Sequence, residues 1–219
     1  MMGFMTKGNQ SALAGLSPLD DVFTAPATDE RLERAAAGLR ERGYSVHVVD
    51  SPDDARELVT TLLPTGKDVF TAASATLENA GINKVIEESG RFRSVRAQLA
   101  TLDDADASIK LGAAPDVVVG SVHAVTEDGV MVCASASGSQ LSSYAGGARR
   151  AIWVVGAQKV VPDLDTALRR VRLYCLPKES ERCMAVYGQP SIIGKILILE
   201  REYLPERGTV VLVRGELGV

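Results

Sequence analysis

Between Gly120 and Gly129 the chain carries a hydroxyl, an imidazole and a carboxylate in one short segment: Ser121, His123 and Glu127. Glu127 stands on a turn closed by Gly129, where it could act as a carboxylate nucleophile or as a general base. The same Glu-Asp-Gly is also an ordinary hairpin turn, because Asp-Gly is a strong turn signal by itself. His123 is one of only two histidines. Beside Ser121 and Glu127 it invites an acid–base reading, and alone it reads as a hydrogen-bonded structural group. His47 falls mid-strand and reads as structural.

A second constellation follows. Ser135-Ala136-Ser137-Gly138-Ser139-Gln140 and then Gly146-Gly147-Ala148-Arg149-Arg150 combine small residues with a guanidinium. Backbone N–H groups and Arg149 could cradle a phosphate or carboxylate, with Ser135 and Ser139 as hydroxyl partners. A surface loop is the plain alternative. Lys159 follows a strand and could point into the same cleft, or lie solvated ahead of the next helix. The candidate catalytic pair is thus Glu127 and His123, and the candidate ligand-binding set is Ser121, Ser135, Ser139, Arg149 and Lys159. No H-E-x-x-H or clustered cysteines suggest a histidine or zinc site, and no metal or cofactor is expected. Walker A, G-x-G-x-x-G and G-x-S-x-G patterns are absent. Arg182, Lys195 and Arg207 read as surface salt-bridging residues or as a contact to a partner chain or an acidic ligand.

Elements must bring these residues together. In open α/β sheets ligands bind outside the carboxyl ends of the strands, so positions just after a central strand carry most of the interest. Residues 22–24 read as a short strand, followed by a helix with Leu32, Ala35, Ala36 and Leu39 at helical spacing and Gly43 at its close. Residues 44–49 and 52–63 repeat the unit, bounded by Asp50-Ser51-Pro52. A third unit pairs a strand at 68–71 with a helix from the N-cap candidate Ser74 to about Glu88. Residues 93–112 read as helical, 116–120 as a buried central strand, 130–134 and 151–155 as strands, and 163–174 as a helix. Residues 195–200 and 209–214 look like a terminal antiparallel strand pair.

Alternating units of this size imply a mostly parallel sheet flanked by helices. At 46% hydrophobic and 5% aromatic, aliphatic side chains must supply most of the core. A formal charge of −4 leaves no global footprint for nucleic acid. Three cysteines without C-x-x-C spacing suit a reducing, cytoplasmic setting. Residues 1–20 read as a disordered leader without the apolar core of a signal peptide, and no run approaches a membrane span. Residues 21–219 read as a single α/β domain.

Several stretches together carry a resemblance. They are Thr126-Glu127-Asp128-Gly129-Val130-Met131-Val132, the Val155-Gly156-Ala157-Gln158-Lys159-Val160-Val161 run leading into a helix with Leu164 and Ala167, and Glu181-Arg182-Cys183-Met184-Ala185-Val186-Tyr187-Gly188. Lys195-Ile196-Leu197-Ile198 and Val211-Leu212-Val213-Arg214-Gly215-Glu216-Leu217-Gly218 complete the set. From about Val22 the chain resembles the LUD (lactate-utilisation, DUF162) family. The resemblance implies a fold similar to the NagB/RpiA/CoA-transferase group. It also implies a link to lactate and organic-acid utilisation, with iron–sulfur proteins as partners, although this chain lacks the cysteine clusters to hold such a centre itself.

Two functions stay open. One is a protein that binds a small anionic metabolite or a partner subunit, with a homodimer as one arrangement. The other is an isomerase- or CoA-transferase-like enzyme using Glu127, because Thr-Glu-Asp-Gly is similar to the Ser-Glu-Asn-Gly turn that holds the catalytic glutamate in one class of CoA transferases. Asp128 in place of Asn adds a second negative charge beside such a nucleophile.

Overall fold

The structure is a computed structural model that describes residues 21–219; the leader expected over residues 1–20 lies outside the described residues. Helix α1 (Asp29–Glu41) starts where Thr28 accepts a hydrogen bond from the Arg31 N–H at 3.4 Å, and it buries Leu32, Ala35, Ala36 and Leu39 on one face. Strand β1 (Ser45–Val49) follows. Ser51 then caps α2 (Pro52–Leu62), with Pro52 at the start where its missing N–H costs nothing. Strand β2 (Asp68–Thr71) leads to two short helices, α3 (Ala75–Asn79) and α4 (Ile82–Glu88).

The expected helix over residues 93–112 divides into strand β3 (Arg93–Ser94), α5 (Val95–Leu99) and α6 (Ala105–Ala113), because Ser94 and Asp104 each cap a new helix. Strand β4 (Val117–Gly120) is buried throughout. Then come β5 (Ala124–Thr126), β6 (Met131–Ser135), β7 (Arg150–Gly156) and β8 (Val160–Val161).

Six strands form one parallel sheet in the order β1, β10, β7, β4, β2, β3, where β10 is Gly208–Val213. Side chains alternate between its faces with period two. Ala151, Trp153, Val155, Val118, Val210 and Leu212 enter one core, and Ile152, Val154, Val117, Val119, Val211 and Val213 enter the other. A second, mixed sheet runs β8, β5, β6, β9, where β9 is Lys195–Leu199. One face of it shares the first core through Val125, Met131 and Cys133. Its other face packs Ala124, Val132 and Ala134 on Ala167, Val171 and Tyr174.

Three further expectations need correction. Residues 21–23 form a single 3₁₀ turn rather than a strand. The two terminal strands do not pair with each other: β9 runs antiparallel to β6, and β10 lies parallel between β1 and β7. Burial decides this, since all of β10 is buried, as a strand covered on both faces must be, whereas β9 is half-exposed at a sheet edge. The helix expected to end at Tyr174 continues: α7 (Leu164–Arg170), a π-helical turn (Val171–Cys175) and α8 (Leu176–Tyr187) run on without a break. Pro177 does not interrupt it, because it sits in the first turn beyond the π turn, where its missing N–H is tolerated. No helix among the described residues is long and apolar enough to cross a membrane.

Candidate functional site

Strands β7, β4 and β2 are neighbours, so the segments leaving their carboxyl ends meet. They contribute Lys159, Ser121 with His123, and Thr76 to a cleft of about 580 Å³. The loop after β6 adds Ser135 and Ser139, and α8 closes the far wall with Glu179, Arg182 and Tyr187. Gly120 is required at the end of β4, since a side-chain carbon there would lie 1.6 Å from the Tyr144 hydroxyl oxygen. That hydroxyl accepts from the Ser121 N–H at 3.2 Å and donates to the Ser121 carbonyl at 3.3 Å, fixing the backbone beneath the cleft.

Lys159 is 2% exposed, the deepest charge in the cleft. A 3₁₀ turn (Ala157–Lys159) folds it back over the strand end instead of releasing it to solvent. Its Nζ donates to Thr76 Oγ1 at 2.8 Å and to Ser121 Oγ at 3.1 Å. Among the described residues no carboxylate pairs with it. Burial, with Arg170 adding to the effect, pushes the ammonium down to about 7 from its ordinary 10.5.

Arg170 is fully buried behind the wall formed by His123 and Cys175, donating from Nη1 to the His123 carbonyl and to Cys175 Sγ at 3.0 Å. Its Nε and Nη2 have no hydrogen-bond partner among the described residues. Burial pushes its pKa down, and its guanidinium stacks over Tyr174 at 5.0 Å. Two cations thus stand here, Lys159 lining the cleft and Arg170 behind its wall, with no acid among the described residues paired to either.

His123 is partly buried and accepts a hydrogen bond from the Ala134 N–H on Nδ1 at 3.1 Å. Burial, then the charges of Lys159 and Arg170, pull its pKa down to about 3 against Glu179. The imidazole is therefore neutral near pH 7 with its proton on Nε2, so it donates hydrogen bonds rather than serving as a base. Glu179 is held ionised by a two-pronged pairing with Arg182 at 2.6 and 2.9 Å. Ser135 and Ser139 both donate to Gln140 Oε1, at 3.1 and 3.3 Å, and Ser135 Oγ accepts from the Gly138 N–H.

Of the residues singled out in the sequence, Ser121, His123, Ser135, Ser139 and Lys159 converge on this cleft. Glu127 and Arg149 stand apart. Arg149 is exposed just before β7, at the opposite end of the parallel sheet, with its N–H bound to the Pro115 carbonyl. Glu127 lies beside α1, where Arg31 donates to Oε1 at 2.6 Å and Arg34 to Oε2 at 2.7 Å. Burial tends to raise its pKa, but the two guanidinium groups outweigh that and hold the carboxylate ionised. Asp128 is similarly paired with Arg42, and its carboxylate accepts from the Thr126 hydroxyl.

Thr76, Arg170, Glu179 and Arg182 belong to the site although the sequence reading did not place them there. Arg170 had a signal: with Ala167, Val171 and Tyr174 it falls on the apolar face of its helix. Thr76 follows β2 as Ser121 follows β4. Arg182 was singled out as a surface, partner or acidic-ligand contact without being placed in this cleft, and Glu179 had no signal, since the helix that carries both runs past the end expected at Tyr174. Among the described residues no group of three His, Cys, Asp or Glu is placed to hold a metal ion.

No curated protein matches the chain. Among solved structures, a DUF162 family protein from Deinococcus radiodurans is similar at 12% identity, with a TM-score of 0.54, over 87% of this chain and 100% of that one. This likeness is one of fold. A family model described as the LUD domain matches residues 32–213, spanning both sheets and every strand that frames the cleft, and the chain belongs to the LUD-domain family.

Proposed function

We propose that the cleft binds a small anionic organic acid, consistent with the lactate-utilisation link that the family resemblance implies. One observation carries this reading: Lys159 lines the cleft and Arg170 is buried behind its wall, and among the described residues no carboxylate neutralises either. Removing a charge from water costs several kcal/mol, and proteins ordinarily offset that with a counter-charge. A ligand carboxylate or phosphate would supply it. Ser121 and the Nε2–H of His123 add hydrogen-bond donors of the kind that orient such a group.

The carboxylate-nucleophile alternative gains no support from Glu127, since both of its oxygens are taken by arginines outside the cleft. We read Glu127 as a clamp between α1 and the β5–β6 turn. A partner subunit remains the second reading, favoured by the exposed Tyr187 and Ile192 at the cleft rim and by Met184 and Val186, exposed on the same helix as Tyr187.

A thermal-shift panel of L-lactate, pyruvate, other small carboxylates, sugar phosphates and acyl-CoAs tests the proposal. Binding at a hundredfold excess over Kd adds about 2.7 kcal/mol, or roughly 5–10 °C in a chain of this size. The expected result is a shift with a small anion that Lys159→Met abolishes. An equal shift in both proteins would refute the site, and silence across the panel would favour the partner subunit.

A further inference from the structure

Lys159 does more than supply charge. We infer that its amine captures the carbonyl carbon of a 2-oxo acid in the cleft, forming a reversible imine. This rests on the reading of the cleft as an anion site and names the ligand class and the bond.

Among the described residues Nζ has two hydrogen-bond partners, both hydroxyls, and each has another acceptor for its own proton. Thr76 Oγ1 donates to the Leu217 carbonyl at 3.3 Å, and Ser121 Oγ reaches the Val122 carbonyl at 3.4 Å. Both hydroxyls therefore turn lone pairs toward Lys159. An uncharged amine has two hydrogens to give, and these two acceptors take both. The nitrogen lone pair is then unclaimed among the described residues, on a side chain that lines an open cleft. A lysine paired with a carboxylate would instead be held as ammonium and lose its nucleophilicity. Burial also leaves a substantial fraction of the amine uncharged at neutral pH, the condition that desolvated catalytic lysines exploit.

The neighbours select the ligand. In a 2-oxo acid the carboxylate is one bond from the carbonyl carbon, so donors for it must lie close to Nζ. Ser121 Oγ is 3.1 Å away, and its bond to Val122 is long enough to exchange for a carboxylate. His123, two residues on, lines the same cleft with Nε2–H as a donor, and the charge of Arg170 lies directly behind it. The step balances without a further reactant. The uncharged amine adds to the carbonyl carbon, the C–N bond forms, and the carbonyl oxygen leaves as water. Counted from ammonium and oxo acid, the products are a protonated imine and one water, with no change in net charge and no redox step.

The test is reductive trapping of the full chain with pyruvate or 2-oxobutyrate and cyanoborohydride, followed by peptide mapping, with thermal shift by the same acids measured alongside. The expected result is a saturable adduct on Lys159 ahead of the surface residues Lys178 and Lys195, and its loss in Lys159→Arg. Mapping the unaltered chain gives an answer whether or not that variant folds. A thermal shift without an adduct on Lys159 would overturn the imine and leave the anion site standing. Neither shift nor adduct would overturn both. Trapping spread evenly over exposed lysines, or trapping on Lys159 with ribose 5-phosphate but no oxo acid, would likewise overturn the inference.

Discussion

A lysine ammonium gives up its hydration when it is buried, and two hydroxyls replace only part of it. Lys159 is in that position, and its shift from 10.5 to about 7 fixes the sign of a pH effect. Between pH 7 and 10.5 the unfolded chain holds a proton that the folded chain has released, so stability rises with pH across this window. Below pH 7 both states are charged and the full cost of burial remains. Lys159→Met should therefore stabilise the ligand-free protein by about 1–4 kcal/mol at or below pH 7, a margin typical of replacing buried charge with apolar volume. The gain should shrink as pH rises toward 10.5, as melting curves of the two proteins at several pH values would show. A less stable variant across the range would contradict a strained lysine. At Glu127 the expectation is the reverse. Glu127→Gln should lose about 1 kcal/mol in a urea titration by weakening two charge-assisted hydrogen bonds. It should leave anion binding in the cleft unchanged. The sequence made Ser121, His123 and Lys159 visible because they follow strands. It could not separate Glu127 from them, because lying near in sequence does not reveal that α1 brings two arginines to its carboxylate.

Elements pack here by close backbone approach. Helix α1 meets the β5–β6 turn where Gly38 faces Gly129: a side-chain carbon on Gly38 would lie 2.4 Å from the Asp128 carbonyl carbon, and one on Gly129 would lie 2.3 Å from Gly38. Gly129 also has φ +90°, which a side chain disfavours. Gly38→Ala is the cleaner test, since it sits in a helix where alanine is otherwise the better residue. It should nonetheless destabilise by about 1–3 kcal/mol, as overpacking does, and a stabilising effect in denaturant titration would contradict the contact. Most helices and strands were legible, α8 and the division of residues 93–112 excepted. Thr28 and Ser51 mark α1 and α2 by their caps, and the apolar runs of β4 and β7 mark buried strands. Strand partners were not, because β9 and β10 are short β-rich segments joined by a turn, the pattern a hairpin also has. Only the complete burial of β10 separates them, and burial belongs to the assembled sheet.

Across the whole molecule the two sheets share one core, in which Trp153 of the parallel sheet and Met131 and Cys133 of the mixed sheet lie in a single buried cluster. Arg207 fastens the loop before β10 to the same region, with hydrogen bonds to the Ser143, Tyr144 and Ala148 carbonyls and a buried pair with Glu202. We propose that residues 21–219 unfold as one unit, so calorimetry should give a single transition whose calorimetric and van't Hoff enthalpies agree. Two resolved transitions would contradict this. The cleft is formed where both sheets meet, which is why its residues come from distant parts of the chain, and why α8 stayed hidden until the fold was known. The central claim, that this cleft holds a buried amine awaiting an anion, is tested most directly by following the Lys159 Nζ resonance in ¹⁵N-lysine-labelled protein through a pH titration, with and without L-lactate, an anion with no ketone or aldehyde carbon for the amine to capture. The account predicts a midpoint near 7 that moves upward when the anion binds. A midpoint at the ordinary 10.5, unmoved by ligand, would contradict it.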